Sequence, residues 1–154
     1  MKILRFDDDR IGILKDGDRV VDVSATITSR KAKGPQRVME DIIENFRGYR
    51  RKFELILAKE PGVPLSSVKL LAPIPRPGKC LAAFVNYLDR PDRSVASLPD
   101  EFFYKSPDLV GPEGAVELLD IAPVVVYQAE AELAFVIGKN AKNISAGDAM
   151  DYVF

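Results

Sequence analysis

Three short apolar stretches open the chain: KILRF (2–6), RIGIL (10–14) and RVVDV (19–23). Each has the length and β-branched content of a strand, and KDGD (15–18) places an Asp-Gly pair between the last two, the signature of a tight hairpin turn. This predicts an antiparallel meander, followed by a loop over SRKAKGPQ. From Gln36 the period changes. Val38, Ile42, Phe46, Tyr49, Phe53 and Ile56 follow one another at spacings of four, four, three, four and three, which is one face of an amphipathic helix. Gly48 falls inside that helix and predicts a kink or a two-piece helix, and KEPGVP ends it. Residues 1–66 therefore read as a small N-terminal α+β domain.

A different pattern begins with VKLLAPIPRPGK. Four prolines between Pro64 and Pro77 make this an extended, turning link and a candidate domain boundary, with 67–154 as the second unit. CLAAFVN and LAFVIG are continuous apolar runs that predict buried strands, and GAVELL and APVVVYQ predict further strands. YLDRPDRSVASLPDEFF is polar, carries two prolines and is long for a passive connection, which favours a functional loop or lid. NISAGDAMDYVF predicts a short helix with Ser145 as N-cap and Asp148 three residues on. It stops on Tyr152, Val153 and Phe154, so something is expected to pack on these apolar residues, and the chain is expected to break off within a domain.

Composition narrows the function. Of 154 residues, 47% are apolar and 29% charged, a globular composition. The net charge of −1 offers no global field for nucleic acid or an anionic membrane. The one dense basic cluster, Arg47, Arg50, Arg51 and Lys52, lies on the helical pattern and reads as a solvated face. Cys80 is the only cysteine, which suits a reducing compartment. MKILRFDDDR turns polar too early for a signal peptide, and no apolar run approaches the ~20 residues of a membrane helix. A cytoplasmic protein is expected. Histidine is absent, which excludes Ser-His-Asp and Cys-His catalysis and any zinc site needing imidazole. Acid–base work falls to carboxylates, Lys, Tyr, Cys80 or metal-bound water.

In YQAEAELAFVIGK (127–139), Glu130 and Glu132 sit one residue apart at the mouth of an apolar strand. Extended chain puts them on one face, roughly 6–7 Å apart. Either that face is solvated, or a positive group sits between them. The ordered blocks VKLLAPIPRPGK, NY, FFYKSPDLVGPEG and EAELAFVIGKNAKNISAGDAMDYV resemble the fumarylacetoacetate hydrolase family from about Val68 to Phe154, and the Glu-x-Glu-Leu stretch is the most specific of them. The resemblance implies a mixed, β-rich catalytic domain, here apparently incomplete, behind the small N-terminal domain. It implies that Glu130 and Glu132 are ligands for Mg²⁺ or Mn²⁺, hard ions that suit carboxylate oxygen.

The family's members act on 2-oxo acids and 1,3-dicarbonyl compounds by hydrolysis, isomerisation or decarboxylation, through an enolate stabilised at the metal. By the same resemblance Lys105 is a candidate catalytic cation, and Asn86 and Tyr87 match residues at the pocket mouth. A homodimer, or a second chain that completes the catalytic domain, is the partner it implies, with no nucleic acid and no membrane.

Two departures qualify this. Hydrolytic members follow NY with a His and a Glu that activate water, whereas here Arg90 and Arg93 occupy those places. A guanidinium is no base at neutral pH, so these arginines would clamp an anionic substrate or simply face solvent. Asp89 and Asp92 are the nearby candidate bases. The family's third metal carboxylate belongs to an Asn-Asp segment beyond DYV that this sequence does not contain. A non-catalytic or accessory chain on the same scaffold is the alternative.

Overall fold

A computed structural model describes residues 1–27, 30–88, 91–118, 120–121, 123 and 126–154, with residues 30–33 described by backbone only. The meander forms as its pattern predicts. Strands β1 (Ile3–Phe6), β2 (Arg10–Lys15) and β3 (Arg19–Asp22) pair antiparallel in chain order. Asp16 and Gly17, at φ 54° and 90°, supply the two left-handed positions that a tight hairpin between right-twisted strands requires. Two short strands complete the sheet: β4 (Val63–Pro64) beside β3 and β5 (Leu70–Leu71) beside β1, giving the order β4-β3-β2-β1-β5. Pro64 sits on an edge, where its missing N–H costs no ladder bond.

The helical layer comes in two pieces, α1 (Arg30–Glu44) and α2 (Phe46–Lys59). Gly34, at φ 70° and ψ 166°, interrupts α1 just before Pro35. The second break falls at Asn45 and not at Gly48. Asn45 turns its side-chain amide back to the Asp41 carbonyl (3.2 Å) and carboxylate (3.0 Å), a local competitor for the helical bonds. The predicted face is the one that packs: Val38, Ile42, Tyr49 and Phe53 are buried and Phe46 and Ile56 partly so, against Ile11, Ile13, Val23 and Ile27 from the sheet side. Tyr49 and Phe53 stack at 5.6 Å. Arg47, Arg50, Arg51 and Lys52 are all exposed.

Every residue buried in the described chain lies between Arg5 and Ala72. Beyond that, strands β6 (Leu81–Ala83) and β7 (Phe102–Tyr104) pair antiparallel, and Phe84 N–H to Glu101 C=O (2.9 Å) closes the base of the long loop between them. Sequence pattern and structure part company here. CLAAFVN forms a strand only over 81–83, and Leu81 is exposed. No strand occurs among the described residues of GAVELL and APVVVYQ. LAFVIG forms no strand: Leu133, Phe135 and Ile137 are exposed, and among the described residues Ile137 finds a bridge partner, Val153. A strand needs a neighbour for its backbone and a layer for its apolar face; in the described chain β6 and Ile137 find short backbone partners, and no described residue of these segments is buried. The final helix is a 3-10 helix (Ala146–Tyr152), with Ser145 accepting from Asp148 N–H as its cap. No described helix is long and apolar enough to cross a membrane.

Candidate functional site

Tyr87, in the segment that leaves β6, has described contacts with Arg93 and with the residue after Glu132. Val85 takes a left-handed backbone, φ 49°, unusual for a β-branched residue, and turns the chain out of the strand just before Asn86 and Tyr87. Both are exposed. The Tyr87 hydroxyl accepts a hydrogen bond from Leu133 N–H at 3.3 Å, the amide immediately after Glu132. The Tyr87 carbonyl accepts from the Arg93 guanidinium at 3.3 Å. The structure thus links Tyr87, Arg93 and the segment carrying the glutamate pair. Asp89 and Arg90 lie outside the described residues.

Glu130 and Glu132 are exposed, and no hydrogen bond or ion pair to either occurs among the described residues. The stretch that follows them is held at two points. Tyr87 grips it at Leu133. Past Val136, Phe154 N–H donates to the Val136 carbonyl and Gly138 N–H to the Tyr152 carbonyl, each at 2.8 Å. The Lys139 ammonium lies 4.4 Å from the centre of the Tyr152 ring. This second tether was not legible in the sequence as a pairing, although the apolar Tyr152-Val153-Phe154 end signalled that a partner was due.

Lys105 is placed apart. Its amide donates to the Cys80 carbonyl (2.9 Å), at the end of the β6–β7 ladder opposite to Asn86 and Tyr87, and its ammonium lies 5.0 Å from the Phe103 ring centre. No described contact joins it to the glutamates. Strand β7 itself was missed by pattern reasoning, because three aromatics of high strand propensity follow a polar, proline-broken stretch.

Two adjacent carboxylates are oxygen donors suited to a hard divalent ion, but they are only part of a coordination shell. Among the described residues, no group of three or more His, Cys, Asp or Glu side chains is placed to hold a metal. A groove of about 1130 Å³ lies elsewhere, between Leu65–Leu71 and Val110–Ala115, and none of the candidate residues lines it.

Comparison with known proteins bears on this half of the chain. The fumarylacetoacetate (FAA) hydrolase C-terminal family matches residues 78–154, which is half of the sequence. Maleylpyruvate hydrolase from Aquipseudomonas alcaligenes is 29% identical over 99% of this chain and 58% of its own length. Mitochondrial oxaloacetate tautomerase from Xenopus laevis is 33% identical over 94% of this chain and 44% of its own. The crystal structure of maleylpyruvate hydrolase from Sphingobium sp. SYK-6 in complex with manganese(II) ion and pyruvate superposes with a TM-score of 0.76 at 32% identity, over 100% of this chain and 55% of that one. The chain spans about half the length of these relatives.

Proposed function

The chain belongs to the fumarylacetoacetate hydrolase family, and from that premise we propose that it serves a divalent-metal-dependent enzyme acting on a 2-oxo acid or 1,3-dicarbonyl compound. The observation that carries this is the position of Glu130 and Glu132 inside the matched stretch 78–154, with Tyr87 hydrogen-bonded to the amide that follows them. The manganese and pyruvate of the Sphingobium structure support it, since pyruvate is itself a 2-oxo acid. In this reading 1–66 is the small N-terminal domain, 67–154 is the first part of the catalytic domain, and the working enzyme is a cytoplasmic homodimer.

Glu130 and Glu132 would hold Mg²⁺ or Mn²⁺, with water and substrate oxygens completing the shell. The bound ion would supply Lewis-acid stabilisation for negative charge developing on a substrate oxygen. Tyr87 restrains the backbone directly behind Glu132, and Arg93 restrains Tyr87. Asn86, Arg90 and Lys105 are further groups of this half that would bind a substrate carboxylate, with Asp89 as a proton acceptor. Because Arg90 and Arg93 replace the water-activating dyad of the hydrolytic members, proton transfer between enol and keto forms, or decarboxylation, fits this chain better than hydrolysis. A non-catalytic role on the same scaffold has one observation in its favour: no third carboxylate joins the pair among the described residues.

Thermal unfolding with and without Mn²⁺ tests the ligand assignment. Ligand at 100 times its dissociation constant stabilises a protein by about 2.7 kcal/mol. The melting temperature should rise with Mn²⁺ in the wild type and not in Glu132→Gln. Absence of any Mn²⁺ effect in the wild type would sink the enzyme proposal for this chain. Mn²⁺ binding without conversion of enol to keto oxaloacetate, followed by ultraviolet absorbance, would favour the non-catalytic role.

A further inference from the structure

Phe154 does more than cap an edge. Its ring meets Phe46 edge to face, with centroids 5.1 Å apart and planes at 80°. Phe46 is the first residue of α2, at the junction with α1, and packs against the buried core of the N-terminal half. On its other side Phe154 belongs to the bridge with Val136–Gly138, the continuation of the Glu130–Glu132 segment. The approach there is close: a Cβ on Gly138 would lie 3.3 Å from the Phe154 Cβ. An unbroken path therefore runs from the helical core, through two rings and a two-bond bridge, to the glutamates. An extended chain rises about 3.3 Å per residue, so the four residues from Glu132 to Val136 span at most about 13 Å.

We propose that Phe46 is a positioning residue for the carboxylate pair: through Phe154 it fixes the Glu130–Glu132 segment to the helical layer. The geometry favours this over a casual surface contact. Leu133, Phe135 and Ile137 are 73%, 58% and 62% exposed within this chain, and of the two described tethers the one at Phe154 leads back to a packed core. The meaning of the placement for cation binding rests on the assignment of Glu130 and Glu132 as ligands.

The test uses Phe46→Ala and Phe154→Ala, with Phe154→Tyr as the conservative variant that keeps the ring. Phe154 is half-exposed and outside the buried core, so its variants fold even if Phe46→Ala loosens α2. In metal-free protein, amide exchange of Gly138 and Phe154 should accelerate about three- to tenfold in both alanine variants, the scale of an edge-to-face aromatic pair. It should stay at the wild-type rate in Phe154→Tyr. Mn²⁺ affinity, read from the electron paramagnetic resonance of free Mn²⁺, should weaken by a similar factor in the two alanine variants and recover in Phe154→Tyr. Unchanged exchange in both alanine variants overturns the proposal. So does faster exchange with wild-type Mn²⁺ affinity, which would make the contact structural only. Wild-type protein that binds no Mn²⁺ would overturn the ligand assignment instead, and the exchange rates alone would then decide whether Phe46 holds the segment.

Discussion

Removing the Tyr87 hydroxyl is the sharpest probe of the first tether. In Tyr87→Phe the ring stays and one acceptor is lost, the one that takes the Leu133 N–H at 3.3 Å. A net intramolecular hydrogen bond contributes about 0.5–1.5 kcal/mol. Two features of this bond set the lower part of that range. Its length lies beyond the usual N–H···O distances. Tyr87 is 46% exposed, so water replaces the lost acceptor without leaving a buried, unpaired donor. A cost of about 0.5–1 kcal/mol corresponds to an opening equilibrium shifted about two- to fivefold. Amide exchange of Leu133 should accelerate by that factor, with Gly138 unchanged because the Tyr152 carbonyl still holds it. The melting temperature of the β1–β5 sheet and its helices should not move, since Tyr87 lies outside that core. Mn²⁺ affinity should weaken by no more than the same two- to fivefold. An unchanged Leu133 rate would refute the tether, and loss of protection throughout the β1–β5 sheet would show that Tyr87 supports the fold and not the site.

Two predictions concern the N-terminal half. Phe53 is fully buried and stacked on Tyr49, so Phe53→Ala should cost about 3–5 kcal/mol. At about 4–8 °C per kcal/mol for a small domain, the melting temperature should fall by at least ~12 °C, and a fall under ~5 °C would mean that the ring does not close a core. Asp22 gives a pH dependence. Burial alone would push its carboxyl up, but hydrogen bonds from Ser24 and the Arg10 guanidinium outweigh that and hold it below the ordinary 3.8. Arg10 Nε and Ser24 N–H each donate to it at 2.8 Å. A depressed folded-state value stabilises above the unfolded value and is lost as pH falls through the folded one. The stability difference between wild type and Asp22→Asn should therefore be constant near neutral pH and shrink below about 4. A difference that stays constant down to the acid transition would refute the assignment.

What was legible in the sequence follows the range of each interaction. The Asp16-Gly17 hairpin and the face from Val38 to Ile56 are local patterns, and both form as read. The helix break was expected in the right element and at the wrong residue. Glycine at 48 only weakens a helix, whereas Asn45 offers the Asp41 carbonyl and carboxylate a competing bond. The run LAFVIG announces a strand that something must cover, and its pattern names no partner. In the structure that partner is Val153 for one bridge, while Leu133 and Phe135 stay uncovered within this chain. The same limit governs the site. The Glu-x-Glu spacing and the ordered blocks around it mark Glu130 and Glu132, as well as Asn86 and Tyr87, as candidates only. The contacts that place them, Tyr87 with Leu133 and Phe46 with Phe154, join residues far apart in the chain and leave no local trace. A carboxylate pair on an exposed segment is chemically idle unless its backbone is held, because two like charges left free move apart. The two tethers act on the stretch just after the pair, one from the β6 segment and one from the helical layer. The N-terminal half therefore does more than sit beside the glutamates: through Phe46 it is part of what gives the pair its position.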